Sequence, residues 1–232
     1  MDRPSDLEVA NKKAREYWRN STSTFISTPD YYDRVERALV EHVLPVVGRP
    51  GRVLDIGCGN GRFTGLLARN AGHVLATDIS PNLIDEANAN EPTNIDFRVC
   101  DLAADWPEGK FDLVSCMGVT SILVDESEYR ATLKRLYGSV ASGGRLLMRD
   151  SLSAGSTDEV AIAKTRPSIY RAASRYLEDL VALGLRAEMI VLLKTWKKKN
   201  RRNQMILLRK PMGGLQSAVW TFRPPRVRNI EL

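Results

Sequence analysis

The segment Val53-Leu54-Asp55-Ile56-Gly57-Cys58-Gly59-Asn60-Gly61 constrains the fold of this chain more than any other. Val53, Leu54 and Ile56 read as a buried strand, and the three glycines turn that strand into a following helix. Glycine reaches left-handed torsions at little cost and lets a ligand lie against bare main chain. Doubly wound α/β sheets begin this way. The spacing is G-x-G-x-G, and Arg62 occupies the place where the dinucleotide pattern G-x-G-x-x-G requires its third glycine, so a pyrophosphate reading is weakened.

The rest of the chain agrees with that start. Seven apolar runs, RVLDIG, HVLATD, IDFRVCD, FDLVSCM, GRLLMRDS, EMIVLLKTW and QMILLRK, alternate with amphipathic stretches and show no fixed repeat. Arg62–Asn70, Leu83–Ala89 and Tyr129–Val140 read as crossover helices. The linker KKKNRRN is too short for a crossover of about a dozen residues, so Met189–Trp196 and Gln204–Lys210 are expected to pair as an antiparallel hairpin. The expected fold is a doubly wound, seven-stranded, mostly parallel sheet with an antiparallel C-terminal hairpin and an N-terminal helical cover.

At 232 residues the chain exceeds the usual single-domain length, and one core with additions is the expected organisation. Residues 1–48 form the helical cover, in which Tyr32, Val35, Leu39, Val43 and Val46 make an amphipathic stripe that Pro45 and Gly48 help to end. Residues 49–210 form the core domain, with 151–171 as an inserted cover segment before the last crossover helix. Residues 211–232, with two Gly-Gly and Pro-Pro breaks and little periodicity, read as a tail.

With 43% hydrophobic and 27% charged residues the composition excludes collagen-like, disordered and disulfide-scaffold classes. No uncharged apolar run approaches the roughly 18 residues that span a bilayer, and the start is charged, so a cytosolic protein is expected. Cys58, Cys100 and Cys116 lie far apart with only two histidines in the chain, which disfavours disulfide and zinc frameworks. The net charge of +6 is concentrated in Lys194, Lys197, Lys198, Lys199, Arg201 and Arg202 and in Arg223, Arg226 and Arg228 of the tail.

Three acids stand at strand ends. Asp55, just before the glycine turn, would repel a phosphate and suits the ammonium of an amino acid. Asp78 closes HVLATD 21 residues after Gly57, where a carboxylate can take both hydroxyls of a ribose. Asp101 can accept the exocyclic amine of adenine while Leu102 packs its ring. Each acid alone could be a solvated residue or a cap; together they describe an adenosyl group joined to an amino acid.

With these residues in place, the chain over roughly 40–210 resembles the class I S-adenosylmethionine-dependent methyltransferase family, whose glycine motif corresponds to LDIGCGNG. The resemblance implies S-adenosylmethionine as cofactor, S-adenosylhomocysteine as product, and Asp55, Gly57, Cys58, Gly59, Gly61, Asp78, Ile79, Asp101, Leu102, Cys116 and Met117 as cofactor contacts. It also puts Ser115, Cys116, Met117 and Gly118 near the methionine part and the incoming acceptor. The Asn/Asp-Pro-Pro-aromatic motif of enzymes acting on nucleobase amines or glutamine is replaced by SCMG, which argues against those substrates.

Methyl transfer from a sulfonium is an in-line displacement that needs alignment in a dry cavity, and base help only for alcohols. His42 lies on the apolar stripe and His73 begins a strand, so both read as structural. Asp150, at the end of the fifth strand, is the candidate base; a cap or an ion pair with Arg149 explains it equally. For the acceptor, Tyr17, Trp18 and Tyr32 supply flat residues near the N-terminus, and Arg166, Tyr170 and Arg171 supply cationic and hydroxyl groups from the insertion. The reading is an enzyme that methylates oxygen or nitrogen of a small molecule, such as a sugar, glycolipid or natural-product intermediate, and an anionic acceptor suits the charge. Two alternatives stand beside it. One is an RNA methyltransferase using the basic hairpin and tail with Trp196, Trp220 and Phe222. The other is a non-catalytic binder of the cofactor.

Overall fold

The computed structural model describes residues 6–22, 28–89, 93–162, 167–193, 201–212 and 226–230. In chain order the elements are α1 (Asp6–Arg19), α2 (Pro29–Ala38), α3 (Leu44–Val47), β1 (Arg52–Ile56), α4 (Arg62–Ala68), β2 (His73–Asp78), α5 (Pro81–Asn88), β3 (Ile95–Val99) and β4 (Phe111–Met117). They continue as α6 (Glu126–Ser139), β5 (Val140–Ser153), β6 (Glu159–Ile162), β7 (Pro167–Tyr170), α7 (Ala173–Ala182), β8 (Arg186–Leu193), β9 (Arg201–Arg209) and β10 (Arg226–Ile230). A short 3₁₀ turn, Thr120–Ile122, precedes α6.

The sheet runs β3-β2-β1-β4-β5-β9-β8-β10. From β1 the chain winds out to β3, then returns to lay β4 on the other side of β1, in parallel register on both sides. That reversal opens a crevice at the carboxyl ends of β1 and β4, the place where open α/β sheets bind ligands. The seven expected strands are present, with β9 antiparallel to both β5 and β8. An eighth comes from the segment read as a tail: β10 pairs parallel with β8.

The sheet is covered on both faces, and its strands alternate between two cores. Val53, Leu147 and Leu207 face Val35, Leu39 and Val43 of the N-terminal helices and Leu66 and Leu67 of α4. Their neighbours Leu54, Leu146 and Ile206 face Tyr129, Leu133 and Leu136 of α6 and Tyr176 and Leu180 of α7. Period-two alternation with both faces buried is what a central sheet of an α/β domain requires. Caps set the crossover helices: Ser80 accepts the Leu83 N–H at the start of α5, and Asp125 accepts the Glu128 N–H at the start of α6.

One expectation needs correction. Pro45 does not end the N-terminal helix but lies inside α3, after a π turn over Leu39–Val43 whose Leu44 N–H reaches back to Leu39 O. The wider turn gives the proline ring room that an α-turn would deny it, and the helix stops at Gly48, φ 78°. Within the segment expected as an inserted cover, β5 runs on to Ser153 and β6 and β7 form a separate antiparallel hairpin. Ile169 of that hairpin packs with Ala10 of α1 and Val124, joining insertion and N-terminal cover.

Candidate functional site

The glycine turn is pinned from below by β2: the Gly57 and Cys58 N–H groups both donate to Thr77 O, at 2.7 and 3.0 Å. Gly57, Gly59 and Gly61 have φ of 71°, 58° and 82°, torsions that cost an L-residue about 1–2 kcal/mol each. A Cβ on Gly57 would also stand 2.2 Å from Val119 Cγ2. Asp78 lies alongside, its carboxylate accepting the Gly59 N–H at 2.9 Å and the Ser80 N–H at 3.0 Å. Burial pushes the Asp78 carboxyl up, and those backbone N–H groups oppose the shift.

A cavity of about 1310 Å³, open mouth included, runs from this turn along the carboxyl edge of the sheet. Gly57, Cys58, Gly59, Asp78, Ile79, Asp101, Leu102, Met117, Gly118, Trp18 and Tyr32 all line it. The alignment of glycines and the two later acids along one wall is therefore a property of the folded chain as well as of the sequence.

At the Asp101 end the wall is closed by α1. Arg19 bonds Asp101 Oδ2 at 2.6 Å, and Arg15 Nε stands 3.8 Å from its Oδ1. Asn11 accepts the Val124 and Asp125 N–H groups, each at 3.2 Å, and donates to Glu128, which Arg15 also bonds. The Ser80 hydroxyl ties Ser21 O at 2.7 Å. Trp18 turns its indole into the cavity region with Nε1 buried and without a hydrogen-bond partner.

At the other end β4 finishes in Met117 and Gly118, and the Gly118 N–H donates to Arg149 O at 2.6 Å. Arg149 itself faces the cavity at 7% exposure, with Nη1 on the Tyr31 hydroxyl at 3.2 Å. Sequence reasoning had treated this residue only as an ion-pair partner for Asp150. On a strand buried on both faces, nothing in the local pattern says which of two neighbours opens into a cavity.

Several expected site residues lie elsewhere. Asp150 points to the opposite face, fully buried, and accepts hydrogen bonds from Thr120 Oγ1 (2.6 Å), the Tyr176 hydroxyl (2.7 Å) and the Ser121 N–H (3.2 Å). It does not line the cavity, and it makes no ion pair with Arg149, because strand alternation sends the two side chains apart. Cys116 is buried on that same face for the same reason. Asp55 sits beneath the glycine turn, held by Thr64 Oγ1 at 2.7 Å, and burial pushes its carboxyl up to about 6. Gly61 backs onto the Phe97 ring, 3.0 Å from where its Cβ would be.

The described residues of the insertion contribute to packing and do not line the cavity. Arg171 is 1% exposed, donates to Thr120 O (2.8 Å) and Leu123 O (2.7 Å), and lies over the Tyr129 ring at 3.4 Å. It holds the 3₁₀ turn that borders the cavity. Tyr170 is half-buried on β7, opposite Glu159. Tyr17 is 38% exposed and packs edge-on against Trp18. Arg166 and residues 194–200 lie outside the described residues, as do Trp220 and Phe222. His42 and His73 do not reach the cavity, and His73 meets Asp96 at 3.1 Å. Among the described residues no helix is long and apolar enough to cross a membrane.

The geometry as a whole offers backbone amides and carboxylates at one end and a buried cation at the other. A family profile described as "Methyltransferase domain" matches residues 53–144. "Phosphoethanolamine N-methyltransferase 1" of Triticum aestivum is 32% identical over 180 residues, 71% of this chain and 35% of that protein. "Ubiquinone biosynthesis O-methyltransferase" of Xanthomonas campestris pv. campestris is 40% identical over 85 residues, 34% of this chain and 35% of that protein. The chain thus spans about a third of the length of the curated relatives it matches. Among solved structures, the N-methyltransferase NodS from Bradyrhizobium japonicum WM9 in complex with S-adenosyl-L-homocysteine superposes with a TM-score of 0.66 at 18% identity, covering 89% of this chain and all of that one.

Proposed function

The chain belongs to the class I S-adenosylmethionine-dependent methyltransferase family, and we propose that it transfers the cofactor's methyl group to an oxygen or nitrogen of a small molecule. The observation that carries the proposal is Asp78, a carboxylate at the end of β2 that shares one cavity with the glycine turn, Asp101 and Met117. A bare main-chain cradle followed by two acids suits an adenosyl group. Gly57, Cys58 and Gly59 would pass beneath the cofactor, Asp78 would take its ribose, and Leu102 with Asp101 would take its adenine. When bound, the cofactor supplies a methyl group on a positively charged sulfur, open to in-line displacement.

The chain's own contribution is alignment and exclusion of water. Trp18, Tyr32 and the 3₁₀ turn line the same cavity as Met117 and Gly118, where an acceptor would meet the methyl group. Among the described residues lining the cavity there is no histidine, and Asp78, Asp101 and Glu128 are already hydrogen-bonded. With Asp150 turned to the other face, the site favours an acceptor that is nucleophilic without a strong base, such as a neutral amine or a phenolate. The relatives, named for N- and O-methyl transfer, are consistent with either atom.

The test combines binding with turnover. Asp78→Ala is expected to weaken S-adenosylmethionine binding by about 1–3 kcal/mol in calorimetry, through lost charged hydrogen bonds. Release of S-adenosylhomocysteine is expected with some member of an amine and phenol panel. Unchanged cofactor affinity in the variant would overturn the assignment of the cavity.

A further inference from the structure

We propose that Arg149 is the residue that selects the acceptor, binding an oxyanion, either carboxylate or phosphate, carried by the molecule to be methylated. The inference rests on the methyltransferase reading for the word acceptor, and on the side chain's own surroundings for the anion.

Arg149 is 7% exposed, and among the described residues its buried Nε–H has no partner. Among the same residues its guanidinium hydrogen-bonds the Tyr31 hydroxyl, a neutral group. Among the described residues no carboxylate oxygen lies within 4.0 Å of it. Asp150, next in sequence, is directed into the opposite core and engaged by Thr120, Tyr176 and Ser121. The Asp150 charge acts on Arg149 only through the strand from the opposite face, so a buried guanidinium remains with no carboxylate bonded to it, a cost a fold retains only where something offsets it.

Arg62, another cation lining the cavity, shows the contrast. It bonds Asp33 at 2.6 Å and Glu36 at 3.0 Å, so its charge is already neutralised by the chain. Arg149 is also boxed in. Its Nη2 lies 3.2 Å from the position a Cβ on Gly118 would take, and Gly118, φ 90°, leaves that space free. A planar fork of donors beside a bare glycine, in a cavity wall, matches the two oxygens of a carboxylate or phosphate.

Charge gives the second reason. A sulfonium and a guanidinium sharing one low-dielectric cavity repel each other, and an anion between them relieves both. Binding of an anionic acceptor would therefore be strengthened by the loaded cofactor and weakened once the methyl group has left and the sulfur is neutral. The same asymmetry favours release of an anionic product.

The decisive measurement is a titration of the protein with sodium phosphate and, separately, sodium acetate, each against sodium chloride at equal ionic strength. It is followed by the arginine Nε–Hε resonances, with and without S-adenosylhomocysteine. The Arg149 signal, identified by its loss in Arg149→Lys, is expected to shift saturably with phosphate, acetate or both, and which anion succeeds names the group. Arg149→Gln is expected to weaken that binding at least tenfold while S-adenosylmethionine affinity stays within twofold. A signal that no anion moves beyond the chloride control would overturn the proposal. So would a tenfold loss of cofactor affinity in Arg149→Gln, which would give the guanidinium to the cofactor's own carboxylate. The wild-type titration needs no variant to fold. If the protein binds no S-adenosylmethionine at all, the methyltransferase reading fails, whereas the anion titration of the ligand-free protein still decides the role of Arg149.

Discussion

Asp55 shows what a single residue at the base of a ligand site costs. Burial raises its carboxyl from the ordinary 3.8 to about 6, with Thr64 opposing and the nearby Asp78 charge adding to the rise. A folded-state value above the unfolded one means that the contribution to stability is present in full below the unfolded value and is lost as pH rises through about 6. The difference is worth up to about 3 kcal/mol. Asp55→Asn removes the titration, so thermal or urea unfolding from pH 4 to pH 8 should move in favour of the variant by up to that amount. Parallel profiles for the two proteins would refute the assignment. An ionised Asp55 under the glycine turn would lower the energy of a cationic group placed above it, which is the use the proposed cofactor would make of the charge.

Among the elements, β5, the 3₁₀ turn and α7 meet at Asp150, on the face of the sheet away from the cavity. Its two carboxylate oxygens collect Thr120 and Ser121 from the turn and Tyr176 from α7, so three segments distant in sequence meet on one group. Burial pushes its carboxyl up, opposed by those hydrogen bonds and by Arg149. Asp150→Ala would leave buried hydroxyls and an N–H short of acceptors, at about 2–4 kcal/mol of stability, and Tyr176→Phe at about 1–2 kcal/mol. Denaturant unfolding reads both, and cofactor affinity should stay within about twofold because the group faces away from the cavity. An Asp150 variant with wild-type stability and lost turnover would return the residue to the chemistry. The strand's period explains why Arg149 and not its neighbour Asp150 faces the cavity: position along β5 is legible in the sequence, but its facing is not.

For the molecule as a whole, the feature that matters is the closure of the cavity by α1. Arg19 and Asp101 are 82 positions apart, and Asn11 and Arg15 meet Val124, Asp125 and Glu128 more than 110 positions away. The Asp101 carboxylate that would receive adenine is thereby already shared with two arginines, so ligand entry and the seating of α1 compete for one group. Exposed ion pairs of this kind are individually weak, about 0–1 kcal/mol, which suits a cover that must open. The double variant Arg15→Ala/Arg19→Ala should exchange S-adenosylmethionine several-fold faster in both directions in stopped-flow displacement, with a small change in equilibrium affinity. Exchange rates equal to wild type would show that α1 does not gate the site.

The sequence by itself determined the seven expected strands, the crossover helices and where the glycines and strand-end acids would stand. Torsions at Gly57, Gly59 and Gly61, caps at Ser80 and Asp125, and apolar periodicity are local properties, and acids at the ends of β2 and β3 follow from where those strands stop. What only the tertiary structure decided are choices between equivalent local options. These are that Arg149 and not Asp150 turns to the cavity, that Arg171 is drawn inward to hold a turn, that Asp55 lies beneath the ligand wall, and that β10 joins the sheet beside β8. A strand covered on both faces carries no polar side to mark its orientation, and pairings across a hundred residues depend on which surfaces the assembled sheet leaves open.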